Sequence, residues 1–403
     1  MSEEYRPPRR QLIKAGLAAG ALGAGVPLAR AASDGVGQSR LAQARPGAAV
    51  PRRVLGRTGV SLPILHLGTS QDLDERYDKV MHRCFSMGVD WFDTALSYGW
   101  GSSHRAIATF LGQIGDRSKL WLTSKSGAYS PERMIEDAGK ALDELQTDYL
   151  DLYLMHGIRD AAKLEPEYLR AAERLKREGR IRFFGFSCHD GNVVELLDKA
   201  ARVGGVDAIL LRYNFRRYGD RELNLAMDRC HKAGIGLLAM KTMGSVPADL
   251  EKVVEFKSRD FTLGQAKLKS VWADERITSI CSEMDNVQRV RENVAAARSE
   301  QPLSAQEAHQ LNQLAHLTAC HACVGCSHLC EAAAGGQVAI ADSLRYLSYY
   351  ECYGKTERAR ALYRDLPAAA RRSSGSALRA AAAVCPQGID IEARLRQAEV
   401  LLG

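Results

Sequence analysis

Short runs of Leu, Ile, Val and Phe recur from residue 64 onward, separated by longer stretches in which apolar positions return every three or four residues. The runs at 64–68, 89–93, 119–124, 149–155, 181–187, 207–213, 235–240 and 277–281 read as strands buried on both faces. The stretches between them read as amphipathic helices. In 130–146, Met134, Ala138, Ala141, Leu142 and Leu145 share one face, and Ser130 with Glu132 and Arg133 opens the helix. Eight strands alternating with helices predict an α/β fold, a closed parallel (β/α)8 TIM barrel over 53–300. The alternative, a doubly wound sheet, normally carries a G-x-G-x-x-G turn after its first strand, and LHLGTSQDLDE lacks it. Ahead of the first strand, 54–68 reads as a small hairpin turned at Thr58-Gly59.

Composition adds limits. The chain has 403 residues, enough for a barrel and an extension; 46% are apolar and 26% charged, as in ordinary globular proteins. The net charge of +7 is spread along the chain without a Lys/Arg run interleaved with aromatics, so no nucleic-acid partner is expected. At the amino terminus, Arg9 and Arg10 precede a Gly/Ala-rich stretch, interrupted by Lys14, that ends at Ala29-Arg30-Ala31. This pattern is similar to a twin-arginine signal peptide over 1–31, which implies export to the periplasm. An incidental basic tail on a cytoplasmic protein is the alternative. Residues 32–52 read as a linker, and no stretch of the mature chain is apolar enough for a transmembrane helix.

Candidate chemistry sits where the strands end. The second strand stops at Asp93 and opens into a Gly/Ser loop carrying Tyr98; Lys125 follows the third strand and His156 the fourth. Singly, these read as a helix cap, a packed phenol, a solvated lysine and a core histidine. Together they fall at the carboxyl ends of three successive strands, which converge on one mouth in a barrel. The chemistry is coherent. Hydride addition to a carbonyl carbon leaves an alkoxide that needs a proton, which a tyrosine can supply. An ammonium on Lys125 is expected to lower the tyrosine's pKa, Asp93 to keep that lysine charged, and neutral His156 to orient the carbonyl oxygen.

FDTA-x-x-Y-G, the lysine after strand three and LYLMH closely resemble the aldo-keto reductase family, as do GRIRFFGFS (179–187), LRYN (211–214) and RVRENV (289–294). The resemblance spans roughly 53–300 and implies an NADP-linked oxidoreductase that interconverts an aldehyde or ketone and its alcohol, with Tyr98 as general acid/base. It also implies cofactor contacts at Ser187, for the nicotinamide amide, at Asn214, and at Arg289, Glu292 and Asn293 on one helix face. An arginine at 289 suits a 2′-phosphate. Two positions depart from the family: His104 stands where Glu is frequent after the tyrosine loop, and Ser282-Glu283 ends strand eight where a glycine is usual.

The tail, 301–403, carries most of the remaining interest. Cys84, Cys188, Cys230 and Cys281 are scattered through the barrel as small apolar groups, Cys188 lying near the expected mouth. ACHACVGCSHLCE instead holds Cys320, Cys323, Cys326 and Cys330 in a C-x2-C-x2-C-x3-C run, the bacterial ferredoxin spacing for a 4Fe–4S cluster. Zinc, using Cys with His321 or His328, is the rival. The segment resembles ferredoxin-tailed aldo-keto reductases, with two such runs around a YYxxYG helix, here SYYECYG (348–354). Of the second run only Cys385-Pro386 remains; Gly375, Leu378 and Ala381 occupy its other cysteine positions. That resemblance implies one cluster on Cys320, Cys323, Cys326 and Cys385 in a mainly helical, ferredoxin-like extension, with Cys330 the alternative fourth ligand.

Two functions from different classes follow. One is a reductase of small carbonyl substrates, and the other a redox or structural iron–sulfur protein on a barrel that does not turn over. An electron-transfer partner fits the second, and a cluster that pins the tail against the barrel fits the first. A binding module that senses NADP is a third, separated from the others by any turnover of an aldehyde panel.

Overall fold

A computed structural model describes residues 49–127, 130–371 and 375–403. The signal-peptide expectation and most of the linker expectation fall on 1–48, outside the described residues. Among the described residues no helix is long and apolar enough to cross a membrane.

The chain opens with the hairpin: β1 (Arg52–Val54) pairs antiparallel with β2 (Ser61–Pro63). Eight parallel strands then close on themselves: β3 (Leu65–Gly68), β4 (Trp91–Asp93), β5 (Trp121–Ser126), β6 (Leu150–Met155), β7 (Ile181–Cys188), β8 (Ala208–Arg212), β9 (Gly236–Met240) and β10 (Ile277–Glu283). They pair in sequence order, and β10 returns to β3 with Cys281 opposite His66. Each lies within a few residues of its sequence expectation. The expected helix is Pro131–Leu145; the Ser130 hydroxyl accepts from the Arg133 amide, and all five of its expected apolar residues are buried.

Side chains alternate across each strand, and this fixes where the chemistry points. Phe92, Leu122, Tyr153 and Met155 pack outward under the helices. Trp91, Trp121, Leu152 and Leu154 pack inward, with Leu210, Leu238 and Met240. Two residues beyond Trp91 comes Asp93, and the same step of two carries the inward face to Lys125 and His156. Leu55, from the hairpin turn, is wholly buried in the interior cluster and closes the floor of the barrel. Gly236 admits it, since a Cβ there would lie 2.2 Å from Leu55 Cδ1.

The tail is helical, as expected: Ala305–Leu317, Ser327–Ala333, Ile340–Tyr353, Thr356–Asp365, Gly375–Ala383 and Ile391–Leu402. It is held at the carboxyl end of the barrel by polar contacts. Arg212, at the end of β8, donates to the Cys323 carbonyl (2.8 Å), and Arg159 pairs with Asp342 (2.6 Å). Arg216 donates to Thr318 Oγ1 (2.8 Å), and the Gly191 amide to the Gly325 carbonyl (2.7 Å). Gly191 is pressed against the tail, for a Cβ there would fall 2.5 Å from Cys326 Cα.

Candidate active site

The structure brings Asp93, Tyr98, Lys125 and His156 together. Lys125, almost wholly buried, donates a hydrogen bond to Asp93 Oδ1 and another to the Thr94 carbonyl (2.8 Å). Its Nζ is 3.5 Å from Tyr98 Oη and 4.9 Å from the centre of that ring. His156 meets the Tyr98 ring edge-on, centroids 5.7 Å apart. After Tyr98 the chain runs Gly99, Trp100, Gly101, all at positive φ, a tight reversal that leaves the phenol facing the lysine.

Desolvation and charge set the protonation states. Burial by itself would lower the Lys125 pKa, but Asp93 and then Tyr98 outweigh it and hold the ammonium charged well above the ordinary range. His156 is pushed down to about 3, first by burial and then by Lys125, Arg345 and Arg358, so it is neutral at physiological pH. Tyr98 departs from expectation. Lys125 does pull its pKa down, but burial pulls up harder, and Asp93 adds to it, leaving the phenol at about 12. Tyr98 is therefore a protonated donor at neutral pH.

Around the four residues is a polar support. Thr69 Oγ1 donates to the Asp93 carbonyl (2.9 Å) and meets Ser103 (2.7 Å), which also meets Thr94 (2.8 Å). His104 is a buried strut: its Nδ1 is 2.8 Å from Glu144 and its Nε2 is 3.0 Å from Ser124, the neighbour of Lys125. Beneath lie His66 and Cys281, which with Asp93 put three metal-binding atoms within 4.8 Å of one another. The Lys125 ammonium already occupies Asp93 and repels positive charge on His66, so these three are not a cation site.

The expected cofactor contacts are more dispersed. Ser187 faces inward and its hydroxyl accepts from the Gly157 amide (2.8 Å), beside His156. Asn214 brackets the loop after β9, donating to the Lys241 carbonyl (2.9 Å) and accepting from the Arg216 amide (3.1 Å). Asn293 reaches Ser282 (3.0 Å). Arg289 and Glu292 are exposed, the first paired with Asp285 (2.8 Å) and the second accepting from Gln288 (2.9 Å). A narrow cleft of about 70 Å³ lies between barrel and tail, lined from the barrel by Arg212, Asn214, Lys241 and Gly244, and from the tail by Arg345 and Tyr349. Glu283 is neutralised by the tail. Burial would raise its pKa, but Lys355 pairs with it, Ser70 donates to it (2.8 Å), and the carboxyl is held low.

Sequence reading missed Lys241, Arg345, Tyr349, Lys355 and Arg358. Lys241 had a signal, since it follows its strand as Lys125 follows another. The tail residues had no signal placing them there, Tyr349 within SYYECYG included, because only the fold returns them to the mouth.

In the tail, Cys323 and Cys385 pack with Cys330 against Ile340, Leu344, Leu378 and Ile391. Cys326 joins them; its thiol is pushed up to about 11 by burial and then by Cys323 and Cys385. Cys320 is exposed and Cys330 buried. Among the described residues no trio of these cysteines brings its sulfurs within 4.8 Å, so the set is too open for one zinc ion as it stands.

The site is thus a buried carboxylate–ammonium pair, a phenol and an imidazole at the carboxyl mouth of a closed parallel barrel. Residues 65–253 match the model of the aldo/keto reductase family. The barrel segment of this chain is similar to that family over those residues. L-galactose dehydrogenase of Arabidopsis thaliana is 26% identical over 281 residues, covering 60% of this chain and 87% of that protein. The uncharacterized oxidoreductase YqkF of Bacillus subtilis is 25% identical, covering 62% and 92%. Among solved structures, a thermostable aldo-keto reductase in complex with the inhibitor epalrestat superposes with a TM-score of 0.54 at 27% identity, covering 65% of this chain and 99% of its own. An aldo-keto reductase from Klebsiella pneumoniae in complex with NADPH has a TM-score of 0.54 at 23% identity, covering 66% and 95%, and shares the fold. The tail lies outside the family match.

Proposed function

We propose that the protein is an NADP-linked oxidoreductase that reduces a small aldehyde or ketone, with Tyr98 as the proton donor. The observation that carries this is the convergence of Lys125, Tyr98 and His156 at one rim. The cofactor would approach along the cleft between barrel and tail, where a Cβ on Gly244 would meet Phe215 at 3.1 Å. Asn214 and Ser187 are the residues to hold it, with Asn293, Glu292 and Arg289 farther out. When bound, the reduced nicotinamide supplies a hydride. The chain supplies the rest. Neutral His156 donates to the carbonyl oxygen and orients it, and Tyr98 Oη delivers a proton to that oxygen as charge develops. Lys125 stabilises the phenolate left behind, and Asp93 keeps the lysine charged and placed.

The tail reading is a single 4Fe–4S cluster on Cys320, Cys323, Cys326 and Cys385, with Cys330 in reserve. Two of these four thiols, Cys323 and Cys385, pack with Cys330 on one apolar cluster, Cys326 is near enough to feel both, and Arg212 and Arg217 lie close enough to offset thiolate charge. A cluster there supplies a rigid crosslink between the tail's two ends. Export by the twin-arginine route is part of the same proposal, since that route carries proteins already folded; sequencing the amino terminus of the periplasmic protein tests it.

One observation favours the second reading, an iron–sulfur protein without turnover: Lys355 and Arg358 bind Glu283 and the Ser70 carbonyl across the mouth. Anaerobic purification, iron analysis and NADPH oxidation with an aldehyde panel separate the two. Turnover abolished by Tyr98→Phe supports the reductase; iron without NADPH binding or turnover refutes it.

A further inference from the structure

We propose that the tail completes the substrate pocket and selects carbonyl compounds bearing an anionic group, with Arg358 and Lys241 as its counter-ions. The inference rests on the reductase reading and names its substrate class.

The placement comes first. Arg358, on the helix Thr356–Asp365, is held over the mouth by a hydrogen bond to the Ser70 carbonyl. Its guanidinium carbon is 5.7 Å from the centre of the Tyr98 ring and 6.0 Å from that of Tyr349. On the other side of Tyr349, Lys241 Nζ is 3.2 Å from the phenolic oxygen and 4.5 Å from the ring centre. Two cations thus bracket one tail phenol, and one of them overhangs the proton donor. An acid group one aromatic ring's length from the reacting carbonyl would reach them.

Charge pairing then separates these two from their neighbours. Lys355 pairs with Glu283; Arg159 pairs with Asp190 and Asp342; Arg345 pairs with Asp342. Among the described residues neither Lys241 nor Arg358 has a carboxylate partner. The carboxylate that Lys241 does act on, Glu283, is already paired with Lys355, so these half-buried cations are left with a phenol and a carbonyl as hydrogen-bond partners, and an anion completes the arrangement. Lys241 is moreover held at φ 56, a strained backbone for a residue with a side chain, in exchange for aiming its ammonium into the mouth. The same field is felt by Tyr349, which burial would raise but Lys241, Arg345 and Arg358 bring down to about 8.

Anion chemistry at this place has two sources: an acid group on the substrate, or the cofactor's own phosphates, since Lys241 also lines the cleft. Arg358 lies on the Tyr98 side, which assigns it to the substrate. The test uses the full-length, anaerobically purified protein with 4-formylbenzoate and its neutral methyl ester. The wild type should favour the carboxylate in kcat/KM by roughly 10- to 100-fold, the range for a charge-assisted hydrogen bond. Arg358→Gln and Lys241→Met should collapse that ratio through KM, with the iron content of each variant reporting that the tail still folds. Calorimetry with benzoate against benzamide reads the site without turnover, and benzoate binding should be lost in both variants. No benzoate binding by the wild type, or an unchanged ratio with weakened NADPH binding, overturns the inference. Benzoate binding without turnover of either aldehyde keeps the anion site and sinks the reductase reading instead.

Discussion

The ammonium of Lys125 lies 3.5 Å from the phenolic oxygen of Tyr98, and the lysine's other hydrogen bonds are made to Asp93 and the Thr94 carbonyl. A cation so placed does little for a phenol that keeps its proton and much for one that has lost it. Replacing Tyr98 by Phe should lower kcat for reduction by about 10²- to 10⁴-fold with intact substrate binding, read by steady-state kinetics and a binding titration.

The pH dependence follows from the direction of the Tyr98 shift. Its pKa is raised to about 12, so the donor form is complete at neutral pH and is lost only as pH climbs toward that value. Reduction should therefore be flat from mildly acidic to mildly alkaline pH as far as Tyr98 is concerned, while alcohol oxidation, which needs the phenolate, should rise with pH. Lys125→Met removes the group that lowers the phenol's pKa and stabilises the phenolate, and should lower kcat/KM in both directions at a given pH. Unchanged rates in both directions would refute this role.

Tyr349 adds a second pH limb. Its pKa lies at about 8, with Lys241, Arg345 and Arg358 as the cations facing it and Tyr346 and Tyr353 as ring neighbours at 6.2 and 6.3 Å. The neutral phenol predominates below that value; above it a phenolate takes up the positive charge that an acid substrate would use. Selectivity for 4-formylbenzoate should fall as pH rises through about 8. Tyr349→Phe should abolish that limb.

Asp93 and Lys125 form a buried pair, and removing one partner strands the other. Asp93→Asn should cost about 3–5 kcal/mol of stability in denaturant unfolding, unless the lysine gives up its proton. A loss below about 1 kcal/mol, with the Lys125 pKa unchanged by NMR, would contradict the pairing described.

Gly191→Ala tests the seat of the tail. A Cβ would fall 2.5 Å from Cys326 Cα, backbone that cannot swing aside. The expected result is faster proteolysis of the tail and loss of iron, with the barrel's far-ultraviolet dichroism retained. Cys385→Ser should lower iron likewise, whereas undiminished iron would move the fourth ligand to Cys330.

How far the sequence carried differs between barrel and tail. Apolar runs placed the strands, and the step of two along β4, β5 and β6 turned Asp93, Lys125 and His156 inward, so the rim was legible from local pattern. The Tyr98 shift was not, because its sign depends on how deeply the mouth is enclosed, and residues some 250 positions away help enclose it. Tyr349 read as part of the SYYECYG helix and Arg358 drew no reading, and nothing local marks either as a neighbour of Tyr98. Lys241 lacked its context for the same reason: what it faces is Tyr349. His104 looked like a departure from a family pattern and is a strut to Glu144 and Ser124, a contact fixed by how two helices lean on one strand.

Leu55 has a consequence for traffic. With that side chain stoppering one end, the barrel is a cup rather than a tube, and solvent, reactant and product share a single doorway. The helices carrying Tyr349 and Arg358 frame that doorway, so whatever stiffens or loosens them governs passage in both directions.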